Sequence, residues 1–99
     1  MDNSELTLAQ RLNLETARIP WAELQGHFAS GSVIAVGEEL DLIVVAETLA
    51  KDDADQVKAW MESGQVAPVS DDQAMHWHKQ EAHLWAVVIK PWVLVQYRP

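Results

Sequence analysis

The stretch from Leu84 to Tyr97 sets the tightest limit on what this chain can become. Leu84–Ile89 and Trp92–Tyr97 are rich in β-branched and aromatic residues, and their apolar side chains fall at both odd and even positions. Successive side chains in a strand point to opposite faces, so a segment apolar at both sets needs cover on both sides. The segment predicts a central, β-rich element with other elements packed above and below it. Lys90-Pro91 interrupts it. Proline cannot donate into a ladder, so a bulge, a kink or a chain reversal is expected there. A helix over residues 79–90, ended by Pro91, is the competing reading.

The remainder of the chain supplies the cover. Leu8, Leu12 and Ile19, with Leu6, Ala9 and Ala17 beside them, predict a helix over residues 5–18 capped by Asn3 or Ser4. Pro20 fits the first position of a second helix, which places Trp21, Leu24 and Phe28 on one face and stops at Ser30-Gly31. Ser32–Val36 reads as a short strand ended by Gly37. Asp41 then caps a helix with Leu42, Val45, Ala46 and Leu49 at helical spacing. Lys51-Asp52-Asp53 is a turn, and Asp53 with Gln56 fits a capping box opening a helix to about Ser63, with Val57, Trp60 and Met61 facing inward. Gly64 suits a left-handed cap, and Gln65–Val69 is extended around Pro68. Ser70 with Gln73 is a second capping box, opening a helix over residues 71–80. The expected fold is α+β: about five short helices packed on a small sheet that includes the C-terminal segment, with a winged-helix-like core as one arrangement of it.

Ninety-nine residues, 48% of them hydrophobic, predict a single globular domain over residues 1–99. The chain has no cysteine. Disulfides, thiolate nucleophiles and cysteine-based metal sites are thereby excluded, and a small chain without them fits the cytoplasm. Neither a signal peptide nor an apolar run of membrane-spanning length is expected. Fifteen acids against seven lysines and arginines give a net charge of −8, which repels nucleic acid and anionic lipid unless the cations cluster, and in sequence they are dispersed.

Three groups of side chains invite a functional reading. His76, His78 and His83 lie close in sequence, with Asp71 and Asp72 nearby, and imidazole is a good metal ligand. On a helix, though, His76 and His78 point about 160° apart. Only His76 and His83 could share a face, and only if the helix continued. Surface histidines are the favoured reading, so no residue receives a metal or catalytic role and no cofactor is implied. The acids Glu38-Glu39-Asp41, Asp52-Asp53-Asp55 and Asp71-Asp72 stand at expected helix starts, where carboxylates satisfy free N–H groups and complement the helix dipole. Of five tryptophans, Trp21 and Trp60 fall on expected core stripes; for Trp77, Trp85 and Trp92 core packing is the default reading, and an interface patch that includes Tyr97 is the second.

Leu42–Ala50, a short turn and Ala54–Ser63 have the rhythm of a helix-turn-helix. Its second helix offers Asp55, Gln56, Lys58 and Glu62, the wrong charge for reading DNA. No nucleophile elbow, phosphate-binding glycine loop or dinucleotide fingerprint is present.

Several blocks carry a family resemblance. They are Glu15-Thr16-Ala17-Arg18-Ile19-Pro20-Trp21 continuing to Leu24 and Phe28; Val33-Ile34 with Leu40-Asp41-Leu42; Asp52-Asp53 with Val57, Trp60 and Gly64; and Trp85 to Val88 with Pro91-Trp92-Val93-Leu94-Val95-Gln96. Together they resemble the bacterial family catalogued as domain of unknown function 2288, over about Leu12 to Gln96. The resemblance implies a bacterial protein and carries no assigned activity or catalytic residue. The function expected from residues and resemblance together is a non-enzymatic protein-interaction or regulatory module, self-associating or binding another protein. A degenerate helix-turn-helix that binds nucleic acid is the first alternative. A metal-dependent or small-ligand enzyme is the second.

Overall fold

The structure, a computed structural model, describes residues 6–98. Leu84–Gln96 folds as a hairpin. Strand β4 (His83–Ile89) runs antiparallel to β5 (Trp92–Gln96), with Trp85 opposite Gln96 and Ile89 opposite Trp92. Lys90-Pro91 is thus a chain reversal, and the helical alternative for residues 79–90 is not adopted. Around the hairpin the chain places, in sequence order, α1 (Leu8–Glu15), β1 (Ala17–Pro20), α2 (Trp21–Ala29), β2 (Val33–Val36), α3 (Leu42–Ala50), α4 (Ala54–Ser63), β3 (Val66–Pro68) and α5 (Asp71–Lys79). The strands form one mixed sheet in the order β1-β4-β5-β2-β3, with β2 and β5 parallel and the other neighbours antiparallel.

The fold is α+β, and the C-terminal hairpin lies inside the sheet as its patterning requires. The alternation sorts two cores. Leu84, Ala86, Val93 and Val95 pack with Trp21 and Leu24 of α2 and Ala74 and Trp77 of α5. Val87 and Leu94 pack on the other face with Leu12 of α1 and Leu42, Val45 and Ala46 of α3. β5 is buried at Val93, Leu94 and Val95. Cover of β4 is incomplete, since Trp85 and Val88 stay partly exposed. Helices α3 and α4 do follow one another across a short turn. Strands β2 and β3, which flank them, extend the central sheet as antiparallel neighbours and do not stand apart as a wing.

Local chemistry explains the element ends. Helix α1 begins at Thr7, whose side chain accepts from Gln10 N at 3.1 Å while Gln10 Oε1 accepts from Thr7 N at 2.9 Å. The caps expected at Asn3 or Ser4 fall outside the described residues. The helix ends at Glu15, short of Arg18, because Ala17–Pro20 is recruited as an edge strand against β4. Thr16 Oγ1 donates to Leu12 O at 2.7 Å and closes the last turn. Pro20 ends that strand as the N-cap of α2, one residue before the helical position expected for it, and Trp21 N donates to Ala82 O at 2.8 Å. Asp41 caps α3, Ser70 and Gln73 form a full capping box on α5, and Gly64 takes φ 79° to close α4. At α4 only half of the expected box forms. Asp53 accepts from Gln56 N, but its own N–H is already taken by Thr48 O at 3.2 Å.

Helix α4 departs furthest from its pattern. None of its residues is fully buried: Val57 and Trp60 are half-buried and Met61 is 45% exposed. The helix lies over α3 and the three-residue strand β3, a margin too short to cover its apolar face. One polar side chain is built into the interior. Gln96 is 1% exposed; its Nε2 donates to Gly37 O at 2.8 Å and Leu40 O at 2.7 Å, and its Oε1 accepts from Arg98 Nε at 2.9 Å. It ties the loop between β2 and α3 to the last strand.

Candidate functional site

The histidines do not converge. His76 and His78 are exposed on α5, His83 is exposed on β4, and the helix that could have aligned His76 with His83 ends at Lys79. The Gln25 amide nitrogen lies 3.0 Å from Nδ1 of His78. Asp71 and Asp72 occupy the first turn of α5 beside the helix dipole. Asp72 and His76 share one shallow depression with Glu38 and Tyr97, which leaves out His78 and His83. Among the described residues, no three His, Asp or Glu side chains are grouped to hold a metal ion.

The four aromatic candidates separate onto opposite faces of the sheet. Trp77 is core, packed at 5.3 Å and 60° on Trp21, which is itself 2% exposed. Trp77 takes the default core reading, its ring consumed by the α2–α5 contact. Tyr97 packs half-buried on the same core. Trp85 and Trp92, 37% and 38% exposed, stand on the α1/α3 face, near opposite ends of the hairpin. By strand rise, the four residues from Trp85 to Ile89, the cross-strand partner of Trp92, span about 13 Å. The two rings therefore belong to different surfaces.

Trp92 marks the more enclosed of these. Its ring closes one side of a cleft of about 190 Å³ whose floor is Ile34, Val45 and Leu94 and whose outer wall is Val57 and Met61 of α4. All the lining side chains are apolar. The cleft exists because α4 stands off the sheet and β3 ends at Pro68, so the helix and the sheet diverge without a side chain to fill the gap. Sequence patterning assigned Val57 and Met61 to the core; the gap they border depends on where α4 sits relative to the sheet, which periodicity does not encode. From Leu49, Val57 and Met61 the surface opens outward into a wider depression rimmed by Asp52, Asp53, Lys58 and Glu62. Lys58 is drawn toward Glu62, at 4.0 Å, which leaves the aspartates as the rim's unbalanced charge. The cleft itself is lined by no polar side chain, and the carboxylates stand on the outer rim. It can take up an apolar group presented by a positively charged surface.

Comparisons with known proteins agree with the fold and name no activity. No curated protein matches the sequence. The solution structure of PA1075 from Pseudomonas aeruginosa is similar, with a TM-score of 0.82 and 44% identity over 100% of this chain and 94% of that one. The sequence pattern of the family described as protein of unknown function (DUF2288) matches residues 7–97, and the chain belongs to that family.

Proposed function

We propose that the protein is an interaction module of the bacterial cytoplasm that seats one large apolar side chain of a protein partner in the cleft between α4 and Trp92. The observation that carries this reading is the chemistry of the cleft. At about 190 Å³ it is smaller than the ~300–1,000 Å³ of small-molecule sites, and it offers none of the polar groups that orient such ligands. A buried aromatic or aliphatic anchor ringed by polar contacts is how protein interfaces concentrate their affinity. Met61, flexible and polarisable, suits a lip that reshapes around such an anchor. The acidic rim favours a partner with basic residues flanking the anchor and speeds its approach. A second copy fits less well, since each carries a net charge of −8. The cytoplasmic assignment draws on the cysteine-free composition, and the bacterial one on the family and the Pseudomonas aeruginosa relative.

Site-specific photo-crosslinking in living cells tests the reading. A photoreactive residue at position 61 should yield one discrete heavier adduct, weakened by Trp92→Ala, while the same residue at Glu23 on α2 yields none. Adducts from both positions alike, or from neither, would defeat the proposal. An adduct at twice the chain mass would replace a heterologous partner with self-association.

A further inference from the structure

We propose a second site, for a small oxyanion carried on an apolar or aromatic body, at the corner of the sheet where Arg18, His83, Trp85 and Arg98 meet. Strand register assembles it. Arg18 of β1 lies opposite Trp85 of β4, which lies opposite Gln96 of β5. Two residues along, His83 opposes Pro20, and the two-residue period places it on the same face as Trp85. Arg98 stands two residues beyond Gln96 and is bonded to it at 2.9 Å. Cations dispersed in the sequence are thus gathered at one place on an otherwise acidic molecule.

Three features make this more than a chance grouping. First, among the described residues the ion pairs are Lys51–Glu47 and Lys58–Glu62, so neither arginine has a carboxylate of a described residue within 4.0 Å. Second, Arg98 is held in place. The Gln96 amide cannot turn, because both N–H groups are bound to the carbonyls of Gly37 and Leu40. Its oxygen therefore fixes Nε of Arg98, and the two terminal amino groups are left as a fork of the kind that grips carboxylate or phosphate. Third, Arg98 is a wall shared by two depressions. One, of about 480 Å³, is lined by Arg18, His83 and Tyr97. The other, of about 330 Å³, holds the exposed edge of Trp85. An anion in the first can lay its apolar body against the indole in the second.

The opposing charges do not cancel the site. Glu81 borders the first depression, one carboxylate against two guanidinium groups. Asp41 borders the second, but its carboxylate accepts from Ile43 N and Val44 N. The net charge of −8 repels polyanions more than monoanions, which is why the ligand is small and why part of its affinity must come from Trp85.

Amide chemical-shift titrations of the full chain at low salt test the proposal with four probes: inorganic phosphate, acetate, phenyl phosphate and benzoate. The aromatic anions should saturate shifts at residues 18, 83–85 and 96–98, and bind about ten-fold more tightly than their inorganic or aliphatic counterparts. Phenyl phosphate against benzoate decides between phosphate and carboxylate. Arg98→Ala, at an exposed position, should weaken binding about ten-fold or more, and Arg98→Lys should not restore it, since an ammonium lacks the fork. Equal affinities with and without the ring, or shifts unchanged in Arg98→Ala, would overturn the proposal. So would tighter binding of a thymidine oligonucleotide than of phenyl phosphate, which would make the corner a nucleic-acid surface.

Discussion

Replacing Gln96 with leucine keeps roughly the side-chain volume and removes every polar contact, so it isolates what the buried amide does. Three hydrogen bonds are lost: those to Gly37 O at 2.8 Å and Leu40 O at 2.7 Å, and the one that the oxygen accepts from exposed Arg98 at 2.9 Å. At about 0.5–1.5 kcal/mol net for each of the first two, the loop contacts are worth about 1–3 kcal/mol, and the exposed third adds little. The carbonyls do not fare alike. Gly37 O keeps a bond from Leu40 N at 3.1 Å, whereas Leu40 O has no other protein donor among the described residues. An orphaned, dry carbonyl adds up to about 1–3 kcal/mol, with water relieving part of it because Leu40 is only half-buried. Leucine offsets about 1–2 kcal/mol through its more favourable transfer from water. The balance is a loss of about 2 kcal/mol.

Urea unfolding followed by tryptophan fluorescence and by far-ultraviolet circular dichroism measures it. The midpoint should fall by about 1 M with an unchanged slope, and Tm by about 8–16 °C. Arg98→Ala is the control. It removes only the bond at the Gln96 oxygen, made from an exposed side chain, and should cost under about 1 kcal/mol. If Gln96→Leu loses less than about 0.5 kcal/mol, or no more than Arg98→Ala does, the claim that the amide secures the loop before α3 is wrong.

The tryptophans give a second contrast by the same unfolding assay. Trp77→Ala, which empties the space against Trp21, should cost about 3–5 kcal/mol, while Trp92→Ala at the rim of the cleft should cost under about 1.5 kcal/mol. Equal losses would contradict the assignment of Trp77 to the core and Trp92 to the surface. Gly64→Ala should cost about 1–2 kcal/mol although a Cβ there meets nothing within 4 Å, because φ of 79° disfavours any side chain; a neutral result would mean that α4 closes with another backbone conformation.

Most of the fold was legible wherever short-range chemistry decides it. Asp41, Ser70 with Gln73, and Gly64 marked helix ends by supplying a bond or a backbone conformation within three residues. The doubled apolar pattern of Leu84–Tyr97 placed the hairpin in the sheet's interior. Errors gathered where distant partners intervene. Ala17–Pro20 is four residues of weak strand propensity that local periodicity joined to the preceding helix; the ladder with β4 captures it. Half of the Asp53 capping box is lost to a carbonyl one helix earlier.

The two proposed sites were hidden for the same reason: each is assembled from residues that only the fold brings together. Arg18 and Arg98 are eighty residues apart and meet only because β1 joins the sheet beside β4 while β5 lies on β4's other side. Moving β1 by one residue along β4 would turn Arg18 to the opposite face and leave Arg98 alone. The apolar cleft depends likewise on the gap between α4 and the sheet, a distance set by packing. Trp85 and Trp92 each stay partly exposed, forgoing burial that the core would have rewarded, and each borders one of the proposed sites. What the composition concealed was that the two rings lie on separate surfaces, one beside the arginines and one at the α4 cleft, so that a single strand pair positions both.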